Sequence, residues 1–325
     1  AWSDRPTGTT ERFRGLAPVG RRVAWVSGTT GTVLRTVDGG RTWSDVSPGT
    51  VDGFDTSTLQ FRDIEAWDAW HAVILSIGTG ADSRIYRTAD GGQTWQTTFV
   101  NAEETAFYDC LGFWDRRNGL ALSDPVDGKF RLQRTSDGGR TWSQVDPEGM
   151  PPALDGEFAF AASGTCLVTF GARHAWIATG GASPARVLHT QDRGLTWTAS
   201  ATPLRTGPTA GVYSLAFRTP NNGIAVGGAF DAPDNGADAA AWSRDGGTSW
   251  TASEDGVGGY RSGSTWLRRG HGAVAVGPTG SDVSWDGGRS WTVFDTGSLD
   301  SVECARSSCW ASGEAGRVAV LARRR

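Results

Sequence analysis

Six copies of one eight-residue phrase run through the chain: TVDGGRTW (36–43), TADGGQTW (88–95), TSDGGRTW (135–142), TQDRGLTW (190–197), SRDGGTSW (243–250) and SWDGGRSW (284–291). Repetition at this period constrains architecture more than any single element, because each unit must stack on the next to bury its apolar face. The aspartates Asp38, Asp90, Asp137, Asp192, Asp245 and Asp286 are spaced by 52, 47, 55, 53 and 41 residues, the scale of one four-stranded propeller blade. The paired glycines supply the positive φ of a tight hairpin, and the Asp side chain can accept from backbone N–H groups across the turn. Each phrase therefore reads as the turn between strands C and D of a blade. Its Trp enters the next strand as a wedge against the neighbouring blade. In the fourth copy Arg193 replaces the first Gly, so that turn is expected to be strained or reshaped.

Between the phrases, short β-rich runs alternate with Gly-rich turns: ILSIG with RIYRT, LALSD with FRLQRT, AWIATGG with RVLHT, IAVGG with AAWSR. These pairs read as strands B and C, with no room for helix. After the last phrase, residues 300–320 repeat strands A, B and C without a fourth strand, while Trp2-Ser3-Asp4 matches Trp43-Ser44-Asp45. A six-bladed ring would leave the C-terminal strands unpaired. The expected fold is therefore all-β: a seven-bladed β-propeller of four-stranded antiparallel blades, closed by the N-terminal strand. One domain spans 1–325, with blades at roughly 11–50, 58–101, 104–147, 156–201, 210–254, 259–296 and 298–322, the last completed by 1–5.

The repeat is least regular near the start of strand A, where alignment places Arg14, Arg62, Asp109, Thr165, Tyr213, Arg261 and Asp300 in one register, the last two uncertain by one residue. In a propeller these inner strands surround the central channel, and the D–A and B–C connections share the face on which strand A begins. The B–C turns add Asp124, Asp127, Lys129, Arg186, Asp231, Ser281, Asp282, Glu314 and Arg317, while Asp63, Tyr260 and Glu157 lie beside strand A. Lys129 is the one lysine among 31 basic residues. Two expectations follow from this charged rim. It is either a set of ion pairs holding blades in register or a concave pocket of convergent carboxylates and guanidiniums.

Other chemistry finds little support. The net charge is −4 and no basic face offers itself to a phosphate backbone, so nucleic acid is not an expected partner; the terminal Arg323-Arg324-Arg325 reads as a tail without a role. No stretch approaches the length of a membrane helix. His71, His174 and His271 fall near A–B turns and His189 in strand C, away from the rim, which argues against a Ser-His-Asp triad or a zinc cluster. There is no CxxC, HExxH, phosphate loop or dinucleotide fingerprint, so no cofactor and no metal are expected. Asp231, Asp234, Asn235 and Asp238 gather in one loop, read as solvated rather than as a calcium site. The four cysteines suit an oxidising compartment, with Cys304 and Cys309 placed for a hairpin bridge. Cys110 and Cys166, at equivalent positions of adjacent blades, are either a disulfide or, as slightly favoured, two buried thiols.

The phrase S/T-x-D-G-G-x-T/S-W resembles the Asp-box of BNR-type propellers, which include sialidases, xyloglucan-cleaving hydrolases and sortilin-type receptors. Whole-blade stretches such as VAWVSGTTGTVLRTVDGGRTW are closer to the photosystem II assembly and stability factor family of seven-bladed propellers and its uncharacterised bacterial relatives. That resemblance implies a non-catalytic exported protein gripping a partner polypeptide, with Arg14, Arg62 and Arg261 as the arginines to nominate. The sialidase resemblance implies a carboxylate clamped by arginines, although FRGLAP (13–18) echoes the FRIP phrase only faintly. Glycosidic or eliminative cleavage would draw on Asp63, Asp124 or Glu157 as acid or base and on Tyr213 or Tyr260 near the reacting carbon.

The leading expectation is an extracytoplasmic bacterial monomer that binds a small polar ligand, carbohydrate or anionic metabolite, opposite the boxes, with catalysis left open. The alternative is an assembly scaffold docking a protein partner on the same rim.

Overall fold

Short β-branched and aromatic runs broken by Gly-rich turns leave no room for an α-helix, and the computed structural model, which describes residues 1–268 and 270–322, contains none among them. The tail Arg323 to Arg325 lies outside the described residues. Seven four-stranded antiparallel sheets follow one another around a ring. Their inner strands are Phe13–Pro18, Gln60–Ala66, Tyr108–Phe113, Leu167–Phe170, Ala210–Phe217, Gly263–Trp266 and Ser301–Ala305. In blade 7 the outer place is taken by Trp2–Asp4, which pairs Trp2, Ser3 and Asp4 with Leu321, Val320 and Ala319. Register makes Trp2 the equivalent of Trp43, since Ser44 pairs Arg35 just as Ser3 pairs Val320. The N-terminus thus closes the ring as its sequence indicates.

Each DGG turn is satisfied within itself. In blade 3 the Thr135 hydroxyl donates to Asp137 Oδ1 at 2.9 Å, Gly139 N–H donates to Thr135 Oγ1 at 2.9 Å, and Thr141 donates its N–H and its hydroxyl to the two carboxylate oxygens at 3.0 and 2.6 Å. The residue after each Asp donates its N–H to the A–B turn of its own blade: Gly39 to Arg22, Gly91 to Trp70, Gly138 to Arg117, Arg193 to Arg173, Gly246 to Asn221 and Gly287 to His271. These bonds put the six turns on the face away from the start of strand A. Arg193 keeps this bond by adopting φ 64°, so the fourth turn is strained but not reshaped.

The tryptophan of each turn packs into the seam with the preceding blade. Trp43 meets Trp310 edge to face at 6.2 Å, and Trp95 meets Trp25 at 6.4 Å. Trp142, Trp197, Trp250 and Trp291 sit in the apolar clusters that contain Val73, Leu120, Trp176 and Ile224 of the blade before. Two disulfides are formed. Cys304–Cys309 bridges its hairpin, and Cys110–Cys166 joins blades 3 and 4. The second corrects the expectation of buried thiols: equivalent register brings the two Cα atoms to 6.2 Å, within bridging range.

Candidate functional site

Four inner strands carry a β-bulge near their start, and the extra residue in each is Arg14, Arg62, Asp109 or Tyr213. A bulge re-aims its side chain, here at the channel mouth. Thr165 and Asp300 hold the matching places in blades 4 and 7. In blade 6 the register shifts by one, because Gly263 rather than Ser262 pairs Val276 without a bulge. Ser262 therefore takes the place aligned to Arg261, which turns outward and is buried with its Nε 2.5 Å from Asp282 Oδ2.

The channel is stoppered. Residues 158–165 leave blade 4 and cross its axis: Arg62 Nη1 donates to Ala161 O at 3.0 Å, Ser163 Oγ donates to Ser262 O at 2.6 Å, and Gly164 lies over the Asp63 carboxylate. The segment thus touches blades 2 and 6. Below it, hydroxyls join inner strands, with Thr165 donating to Ser214 at 2.7 Å and Ser214 2.8 Å from Ser264.

Above this floor three guanidiniums converge. Arg12 grips Asp300 with two bonds, at 2.7 and 2.6 Å, which raise its pKa. Arg62 bonds the Gln60 side chain at 2.7 and 3.2 Å, and burial together with Arg14 and Arg12 lowers it to about 10. Arg14 is less well matched. Its Nε is 3.9 Å from Asp300, this buried nitrogen lacks a hydrogen-bond acceptor, and burial followed by Arg12 pulls its pKa down against the attraction of Asp300. Arg12 thus depresses Arg14, and both depress Arg62, a repulsion that a nearby negative charge would relieve.

Beside them the Asp109 and Asp124 carboxyls are neighbours, and the buried Asp109 Oδ2 has no hydrogen-bond partner. Burial first and then Asp124 push Asp109 well above the carboxylate range. Burial raises Asp124 to about 7, opposed by the 2.8 Å bond it accepts from Ala159 N. Burial disfavours charge on both carboxyls, and the Asp124 carboxylate further opposes ionisation of Asp109. Tyr213 donates to Thr209 O at 2.6 Å and crosses Tyr260 edge to face at 4.6 Å. Both phenols are raised by burial and neither is poised to ionise.

The remaining rim residues are mostly committed elsewhere. Glu157 takes two bonds from Arg186, one from Thr179 and one from Leu154 N. Asp127, at a hairpin tip with φ 52°, reaches Arg131 at 3.4 Å. Lys129 pairs with exposed Glu148 at 3.7 Å rather than with the aspartates near it in sequence. Asp231 accepts from Thr209 and Ser281 from Trp2 Nε1. Among the described residues no group of three or more His, Cys, Asp or Glu is placed to hold a metal.

Sequence reasoning misses three participants. Arg12 precedes its strand and was outside the aligned register. Glu65 and Glu303 line the channel below the floor with Asp63, and burial followed by their mutual or Asp63 repulsion raises Glu65 strongly and Glu303 to about 8. Asp63 itself accepts from Ile64 N and Leu111 N, yet burial outweighs both bonds and holds it near 7. The alternation of acid and apolar side chains in RDIEA was the signal available for Glu65.

No family model matches the chain, and no curated protein matches it. Among solved structures it is similar to YCF48 bound to D1 peptide, with TM-score 0.67 and 14% identity over 99% of this chain and 95% of that one. YCF48 from Cyanidioschyzon merolae gives TM-score 0.64 and 17% identity over 99% and 98%. The WD40 propeller domain of Doa1 gives 0.61 and 12% over 100% and 98%. What the chain shares with all three is the propeller fold.

Proposed function

We propose that this chain is a non-catalytic docking propeller that works outside the cytoplasm and grips a carboxylate-bearing segment of a partner polypeptide at its arginine-lined mouth. The observation that carries this reading is Arg14, a half-buried guanidinium whose buried Nε has no acceptor, near enough to Arg12 and Arg62 to share their repulsion. A carboxylate supplies what that group lacks, a charged acceptor in a desolvated place. The likeness to a YCF48 propeller solved with a peptide supports a polypeptide as the occupant. Two disulfides favour an oxidising compartment.

A pull-down from the native envelope fraction tests the reading. Arg14→Glu and Arg62→Glu are expected to lower partner retention at least tenfold, whereas Arg41→Glu, on the box face, leaves it unchanged. Equal retention by all three would overturn it.

A second reading, a carbohydrate or anionic metabolite at the same mouth, is favoured by the neighbouring buried carboxyls Asp109 and Asp124, both raised above the usual carboxylate range. Two carboxyls in mutual contact cannot stand about 5 Å apart as acid and nucleophile, so this reading is one of binding. Saccharide that fails to displace the retained partner would count against it.

A further inference from the structure

The two faces of the ring divide charge in a way that the net value of −4 conceals. At the mouth end of the strands arginines are matched with carboxylates: Arg12 with Asp300, Arg131 with Glu103, Arg186 with Glu157 and Arg261 with Asp282. On the box face Arg140, Arg193, Arg244 and Arg289 stand in the DGG turns of blades 3 to 6. The A–B turns of blades 1, 3 and 4, each bonded to its own DGG turn, add Arg22, Arg117 and Arg173. None of these forms an ion pair among the described residues; Arg116, which reaches Asp68 at 3.2 Å, is the exception on this face. Composition predicts no basic face, and these turns correct that expectation.

Backbone carbonyls and rings hold these side chains instead. Arg140 Nη1 donates to Asp137 O and Arg193 Nε to Ala172 O, both at 2.6 Å, while Arg244 and Arg289 lie 5.1 and 5.2 Å from the centroid of one indole, Trp242. Such contacts fix a guanidinium and leave its charge uncompensated. The acids of the same turns offset part of that charge, but their oxygens are occupied: each box Asp accepts from its own phrase, and Asp115 accepts from Arg117 N and Asn118 N at 2.7 and 3.0 Å. Exposed apolar side chains share the face. Val37 and Leu195 stand in the first and fourth phrases and Trp70 on the A–B turn of blade 2, and they are 45, 52 and 54% exposed.

We infer that the box face is a docking surface for a lipid bilayer that contains anionic phospholipid. Unpaired guanidiniums meet headgroup phosphates, and Val37, Trp70 and Leu195 enter the headgroup layer, where an indole is favourably placed. A nucleic-acid backbone would use the arginines alone and gain nothing from three exposed apolar groups, so the combination favours a bilayer. Docked in this way, the propeller turns its mouth to the aqueous side. The inference stands apart from what the mouth binds.

Co-sedimentation of the full chain with vesicles of three parts phosphatidylcholine to one part phosphatidylglycerol tests this. Binding is expected at about 0.1 M salt, most of it lost at about 0.5 M, with none to phosphatidylcholine alone. Arg117→Ala, Arg140→Ala and Arg244→Ala combined are expected to lower partitioning at least tenfold, each basic residue at an anionic surface contributing about fivefold. Should that variant fail to fold, Arg244→Ala alone, at an exposed position, is expected to lose about fivefold. Trp70→Ser should weaken binding and leave its salt dependence unchanged. Lys129→Ala, which removes a charge from the mouth face, is expected to bind like the wild type. The proposal is overturned by absence of sedimentation that depends on phosphatidylglycerol, or by unchanged partitioning of the natively folded arginine variants or of Trp70→Ser. Tighter retention on short duplex DNA than on the vesicles at the same salt would equally overturn it.

Discussion

The two faces of the ring satisfy their polar groups in opposite ways. On the box face every Asp of the repeat meets donors from its own turn, and the same bonds recur in six blades. On the mouth face equivalent positions hold Arg14, Arg62, Asp109, Thr165, Tyr213, Ser262 and Asp300, and two buried atoms, Arg14 Nε and Asp109 Oδ2, find no partner. Repetition marks the positions that the fold needs. The repeat also leaves the buried indole nitrogens of Trp43 and Trp291 without a partner, so what sets the mouth apart is that its unpaired atoms belong to ionisable groups.

The largest effect should come from a pair on the rim that is wholly structural. Arg261→Met leaves Asp282 charged, buried and unpaired, and is expected to cost about 3–5 kcal/mol in urea unfolding. A cost below about 1 kcal/mol would break the distinction between this pair and the mouth cluster.

The two faces should also answer pH in opposite directions. Asp63 near 7 and Glu303 near 8 bind protons more tightly folded than unfolded, where their pKa values are 3.8 and 4.5. Their contribution is full below about pH 4 and is lost as pH climbs through 7 and 8. The box aspartates run the other way. Thr42, through its N–H and hydroxyl, holds Asp38 at about 2, so that contribution is present above about pH 4 and lost as pH falls through 2. Thermal unfolding should therefore peak in mildly acidic buffer, and Asp63→Asn should flatten the decline between about pH 4 and 7. A decline of equal steepness in that variant would show that the channel acids are not its source.

The smallest contrast is the most diagnostic. Asp137→Ala removes four hydrogen bonds of an exposed turn and is expected to cost about 1–2 kcal/mol. Arg14→Met removes a charge that has only a 3.9 Å partner, and should be neutral or slightly stabilising while abolishing partner retention. Equal losses of stability from both would erase the difference between the faces.

Much of this was legible because propeller seams repeat. Seven blades, the closing strand and the side on which the turns lie follow from Trp2-Ser3-Asp4 and the DGG spacing. Bulges were legible only indirectly, as variable residues at a fixed register, which is why Arg14 and Arg62 aligned correctly and Arg261 slipped by one. The carboxylate partners were harder to read. Asp124 lies next to Lys129 in sequence but contacts Asp109, across a strand pair that only folding defines. Residues 158–165 carry no repeat pattern at all, since they answer to the channel rather than to a blade.

That segment has a mechanical consequence. Bonded at Ala161 to blade 2 and at Ser163 to blade 6 while rooted in blade 4, it acts as the hub of a wheel. A hub of fixed reach admits one diameter. Gain or loss of a blade by duplication or deletion, the ordinary route by which repeat proteins change size, would pull these contacts out of range, so the blade count is locked from the centre as well as from the rim.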